Sequence, residues 1–144
     1  MTEISLVRLN ALRVAYLILG GGIVAAKWPA LVSHDSTWPL FEGVTSSLIG
    51  ALAVMALLGL RYPLQMLPIL LFELTWKIIW FGLVWLPLWR AGLVDEATAT
   101  VAVNCLVVVI LIPLIPWDYV VAHYLRAPGA PWWRKTPRPA AAAL

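Results

Sequence analysis

Residues 66–89 read MLPILLFELTWKIIWFGLVWLPLW. Apolar side chains fill the stretch, interrupted by one acid, Glu73, and one base, Lys77. A hydrocarbon core about 30 Å thick is crossed by roughly 20 predominantly apolar residues in a helix, and this run is long enough. Its polarity does not alternate, as it would in a strand of a membrane barrel. Glu73 and Lys77 stand at i, i+4 with the acid first, the favourable order for pairing on one helical face. With a rise of about 1.5 Å per residue, Glu73 lies about 10 Å and Lys77 about 16 Å from residue 66, which sets Lys77 near the middle of a bilayer. A charge at that depth costs about 2.5–3.5 kcal/mol on insertion scales, so the pair is expected to face the interior of a helix bundle. Ionisable residues at such a depth are a functional-site hypothesis by default, with a structural ion pair as the alternative.

Working outward, the chain holds three further runs of this kind, at 9–27 (extending to 32 if Pro29 is tolerated), 44–60 and 98–117. The composition agrees: 62% of 144 residues are hydrophobic and 12% charged, with a mean hydropathy of +0.90, against about 25% charged in an ordinary soluble domain. A chain this short cannot hide that apolar excess in a water-facing fold. The expected fold class is all-α, an integral membrane bundle of four transmembrane helices over residues 1–125, followed by a basic, Pro- and Ala-rich tail at 126–144 without a fold of its own.

Local chemistry sets the connections. Gly59-Leu60-Arg61-Tyr62-Pro63 reads as a tight turn between the second and third spans. Asp95 and Glu96 open the fourth, where acids complement the helix dipole. Pro113 and Pro116 bend or end it. Four spans place both termini on one side, together with Arg8, Arg13, Arg61, Arg126, Arg134, Lys135 and Arg138, against Lys27 and Arg90 on the other. Seven against two is the lysine-arginine bias of a cytoplasmic face, so both termini are expected in the cytoplasm of a bacterial inner-membrane protein. Arg8, Arg13, the apolar run 14–26 and Val24-Ala25-Ala26 also have the form of a signal peptide. The continuation of the run beyond Trp28 favours an uncleaved helix.

The net charge of +3 is spread over span ends, which excludes a nucleic-acid surface and points to lipid headgroups and topology. The expected partners are the lipid bilayer and either other membrane subunits or further copies of the chain. Cys105 is the lone cysteine and reads as a buried, inert thiol. Arg13, at a depth close to that of Glu73, is expected to bridge to it, with Asn104 as an acceptor for Lys77. Asp118 is expected to pair with Arg61 or Arg126. Of the nine tryptophans, Trp28, Trp38, Trp89 and Trp117 fit the headgroup region. Trp76 and Trp80 share a face with Glu73, Lys77 and Val84, and either pack on a neighbouring helix or, with Asn104, line a pocket for a flat lipid-like ligand. His34 and His123 fall on opposite sides and cannot share a haem or metal. Gly20-Gly21-Gly22 reads as a close-packing face. Sequence motifs assign no cofactor and no catalytic constellation.

Leu12-Arg13 leading into 17–22, then Lys27, and later Ser47-Leu48-Ile49-Gly50-Ala51 to Leu58-Gly59-Leu60-Arg61, together with length and span number, resemble the DoxX-like family of small bacterial four-helix membrane proteins over about residues 12–80. The resemblance implies a four-helix membrane bundle, and some members look like subunits of quinone-linked oxidoreductases. The Glu73/Lys77 pair and the tryptophans of the third span do not map onto that family. The expectation from the residues is a binding or accessory membrane subunit with a buried Glu73/Lys77 site. The alternatives are a proton-coupled transporter acting as an oligomer and a quinone- or lipid-handling enzyme.

Overall fold

The computed structural model describes residues 4–34 and 37–132. Helix is the sole regular structure among them, and four helices are long and apolar enough to cross a membrane: α1 (Leu6–Ser33), α2 (Leu40–Leu58), α3 (Leu67–Arg90) and α4 (Glu96–Leu114). A further helix, α5, begins as Trp117–Val120 and continues in wider, π-type turns over Val121–Arg126. Of the expected basic tail, residues 133–144 lie outside the described residues, as do Asp35 and Ser36 in the first loop.

Side chains fix the helix ends. Ser5 caps α1 by accepting from the Arg8 amide, and Asp95 caps α4 by accepting from the Thr98 amide at 2.7 Å, each satisfying a donor the first turn leaves free. At the end of α3, Gly92 takes a φ of +68°. The Leu93 amide then reaches back to the Leu88 carbonyl and the Gly92 amide to Trp89, a glycine-dependent C-terminal closure. α1 runs past Pro29, further than the 9–27 expected. Ser33 Oγ donates to the Pro29 carbonyl at 2.7 Å in that last turn. The Pro113–Pro116 segment ends α4. The chain tightens over Ile112–Leu114 and then becomes extended at Ile115. Pro116 has no N–H to give the Ile112 carbonyl, which accepts from the Ile115 amide at 3.4 Å and from the Trp117 indole at 2.9 Å. Trp117 is therefore a cap on α4 as well as an end-of-span aromatic.

The core lies at the end of the bundle where α1 begins and α4 finishes, called here the proximal end. Leu12, Ala15, Tyr16 and Leu19 of α1 meet Ala56 of α2, Leu67 and Leu70 of α3, Leu111 and Ile115 at the end of α4, and Val120 of α5. Tyr16 is the centrepiece. It is fully buried, its ring lies against Gly59, where an added Cβ would come within 2.5 Å of it, and its hydroxyl donates to the Pro63 carbonyl at 2.7 Å. Arg13 Nε donates to the Leu60 carbonyl at 3.1 Å. α1 thus holds the α2–α3 turn by two bonds to carbonyls that the turn leaves free. An ion pair between Arg8 and Asp118 ties α1 to α5.

Away from that end the packing thins. No residue of Gly22–Ser33, Phe81–Trp85 or Leu86–Arg90 is buried. α1 stays close to α2 here, and the Phe81–Trp85 turn of α3 stays beside α4. Of the three glycines expected to form a close-packing face, Gly20 does so, against Leu57 and the Ala53 backbone, whereas Gly22 meets nothing within 4 Å.

Candidate functional site

α3 buries Leu67, Leu70, Glu73 and Lys77, a stripe with the period of a helix face. Glu73 is 2% and Lys77 5% exposed. Lys77 Nζ stands 2.6 Å from Glu73 Oε1. The second carboxylate oxygen, Oε2, accepts from Trp76 Nε1 at 2.7 Å. The Trp76 ring also lies 5.5 Å from the ammonium, within the range of a cation–π contact. The three side chains form a closed group in which each carboxylate oxygen has a donor and the ammonium has both a carboxylate and an aromatic face. No buried side-chain nitrogen or oxygen lacks a partner among the described residues. Cys105 of α4, buried and unpaired, lies within electrostatic reach of both charges.

The other residues expected here sit elsewhere. Arg13 does not bridge to Glu73. Besides the Leu60 carbonyl of the α2–α3 turn, its guanidinium bonds Asn10 Oδ1 at 2.8 Å. Asn104 is exposed on the outer face of α4 and is no partner for Lys77, because Ala102, Cys105 and Val108 take the inward positions of that helix. Asp118 pairs with Arg8, not with Arg61 or Arg126. The inward stripe also fails to continue through Trp80 to Val84. Trp80 is half-buried and Val84 exposed, since the wider turn at Phe81–Trp85 adds a residue and rotates the face away. Trp80 instead starts an aromatic ladder, edge-on to Phe81 at 5.2 Å, which is edge-on to Trp85 at 5.7 Å, which stacks on Trp89 at 5.8 Å.

The histidines engage neighbours in sequence. His34 stacks on Trp38 and His123 on Tyr119. Among the described residues no three His, Cys, Asp or Glu gather as a metal site. The role of Trp76 as third member of the polar group was readable, since an i, i+3 pair on a helix is in contact. Asn10, a partner of Arg13, is local, whereas the Leu60 carbonyl that holds Arg13 and the Arg8 that holds Asp118 come from distant segments and left no local signal.

Such a group is suited to holding a rotation and a depth. Taking two charges out of water is costly, and mutual attraction with full hydrogen bonding compensates. In this arrangement both carboxylate oxygens and the ammonium are engaged by other members of the group. Compared with family models, curated proteins and solved structures, the chain matches none.

Proposed function

We propose that this chain is a multi-pass protein of a bacterial cytoplasmic membrane, with both termini in the cytoplasm, and that it serves as a binding or accessory subunit of a larger membrane assembly. The observation that carries this reading is the contrast between a closed polar group and an unpartnered surface. Glu73, Lys77 and Trp76 satisfy one another, while only 22–28% of the most apolar 18-residue stretch of each candidate span is buried within the chain. Leu83 is 75% and Phe41 81% exposed. Such apolar surface is available to lipid tails and equally to neighbouring helices, whose association in a bilayer rests on packing. The orientation is supported by the lysine-arginine bias and by the joining of α1 and α5 at one end through Arg8 and Asp118. The DoxX-like resemblance is in keeping with an accessory role.

Photo-reactive residues at Leu83, Phe41 and Leu125, expressed at native level and activated in intact membranes, test the reading. A protein adduct of defined mass is expected from Leu83 or Phe41 and not from Leu125. An adduct at twice the 15.9 kDa of the chain identifies a second copy as the partner. Lipid adducts alone at all three positions would defeat the accessory reading. Proton-driven flux that is abolished in Glu73→Gln would replace it with a transporter.

A further inference from the structure

Asn104 stands in α4, the most apolar of the four candidate spans. At a rise of about 1.5 Å per residue it lies about 12 Å from Glu96 and about 15 Å from Leu114, near the middle of a hydrocarbon slab about 30 Å thick. Its amide carries two N–H donors and a carbonyl acceptor. Elsewhere in the spans, Glu73 and Lys77 pair with each other, and the hydroxyls of Thr75 and Thr100 donate to carbonyls one turn back on their own helices. Asn104 has no such arrangement. Its side chain is exposed and makes no hydrogen bond among the described residues. Lipid tails offer neither donor nor acceptor, and water is absent at that depth, so an unpaired amide there is costly.

The face that carries Asn104 is built of small side chains. Ala97, Thr100 and Val101 are exposed with it and lie within about 60° of it around a helix of about 3.6 residues per turn, whereas the buried Ala102 lies about 160° away. The face therefore points out of the bundle. Small side chains let the backbones of two membrane helices approach closely, which the short reach of asparagine requires. The amide is also its own complement. Copies of one chain share a single orientation in a membrane, so a two-fold axis along the membrane normal brings identical residues together at one depth. Nδ2–H of each asparagine then donates to Oδ1 of the other. A different subunit would have to supply a polar residue at this depth, and a second copy has it already. We propose that the face of α4 from Ala97 to Asn104 is the interface of a parallel homodimer, closed at its centre by reciprocal hydrogen bonds between the two Asn104 amides. This surface is distinct from Leu83 on α3 and Phe41 on α2. The proposal rests on the membrane reading above and stands whether or not another subunit binds.

The full chain, carrying donor or acceptor fluorophores at its N-terminus, is reconstituted into phosphatidylcholine–phosphatidylglycerol liposomes, and energy transfer is followed as lipid is added. A hydrogen bond between model membrane helices strengthens association about five- to thirtyfold. Asn104→Leu should therefore raise the apparent dissociation constant about tenfold or more without lowering thermal stability, because the residue lies outside the core. Asn104→Gln, which keeps the amide, should retain most of the association. In a Cys105→Ala background, Asn104→Cys should cross-link under mild oxidation to a species of twice 15.9 kDa, and Val109→Cys, exposed on another side of α4, should not. A natural chain that stays monomeric at every lipid ratio would overturn the proposal and leave the amide to a different subunit. Unchanged association in Asn104→Leu, or equal cross-linking from Val109→Cys, would overturn it too. A chain that alkaline carbonate strips from the liposomes would defeat the membrane reading, and the proposal with it.

Discussion

The two ends of this bundle are built on different rules. At the proximal end, α1, the α2–α3 turn, the finish of α4 and α5 close around Tyr16, and backbone carbonyls are held by named side chains. At the distal end the first buried residues met are Gly50 on α2 and Ala102 on α4, and α3 buries nothing after Lys77. Glu73 and Lys77 therefore mark the boundary. A fold can be specified by one well-packed half and leave the other free for lipid or for a partner. The helix continues through the boundary because its backbone bonds are internal, a requirement in hydrocarbon, and needs no tertiary support there.

The largest expected effect lies at that boundary. Lys77→Met leaves the Glu73 carboxylate buried with Trp76 as its remaining donor, and Glu73→Gln leaves an ammonium without a counter-charge. Removing one member of a buried pair costs about 3–5 kcal/mol, lessened where the survivor neutralises. The double variant carries no orphan charge and should recover part of the loss. Thermal unfolding in detergent of the two single variants and the double gives the coupling directly. Simply additive losses would mean that the pair does not hold the halves in register.

A pair of glycines sharpens the same contrast at a smaller scale. In Gly59→Ala the new methyl meets the fully buried Tyr16 ring. Overpacking of this kind costs about 1–3 kcal/mol. In Gly82→Ala, on the distal part of α3, the methyl meets nothing within 4 Å, and the reduced freedom of the unfolded chain should give about 0.4–1 kcal/mol of stabilisation. Denaturation midpoints should move in opposite directions. If they fall together, the distal half is packed against something in the protein as studied.

How much of this was legible follows from the range of each cause. Run length gave the four long helices, because the demand of an apolar slab acts on local composition. The Glu73–Lys77 pairing was legible through i, i+4 spacing. α5 was not, since it is short and follows Pro116, and its place depends on Val120 finding a core assembled from distant helices. Nor was the bond of Arg13 to the Leu60 carbonyl, 47 residues away, or the outward turn of Asn104, where the apolar run offers no polar face to set rotation. The end of the polar-aromatic stripe at Lys77 escaped because a wide turn leaves no mark in apolar periodicity.

The smallest effect compares one carboxylate from each end, both outside the four spans' apolar interiors. Hydrogen bonds from Thr98, side chain first and then backbone, hold Asp95 below its ordinary value. The hydrogen bond from Arg8 does the same for Asp118, ahead of its charge. A depressed carboxylate contributes stability that is present above the unfolded value, about 3.9, and lost as pH falls through the lower folded value. Both ends should therefore loosen only in that acid window, and not near neutral pH. The two causes can be separated by following the side-chain carboxyl resonances in micelles. Arg8→Gln should return the Asp118 midpoint toward the ordinary range without moving Asp95, and Thr98→Ala should raise Asp95 in part without moving Asp118. Asp95→Asn should keep the cap on α4, since asparagine serves as well at that position, while abolishing the acid transition at the distal end. An acid transition that persists in Asp95→Asn would assign it to another group, and an Asp118 midpoint indifferent to Arg8→Gln would mean that α1 and α5 are held together by packing alone.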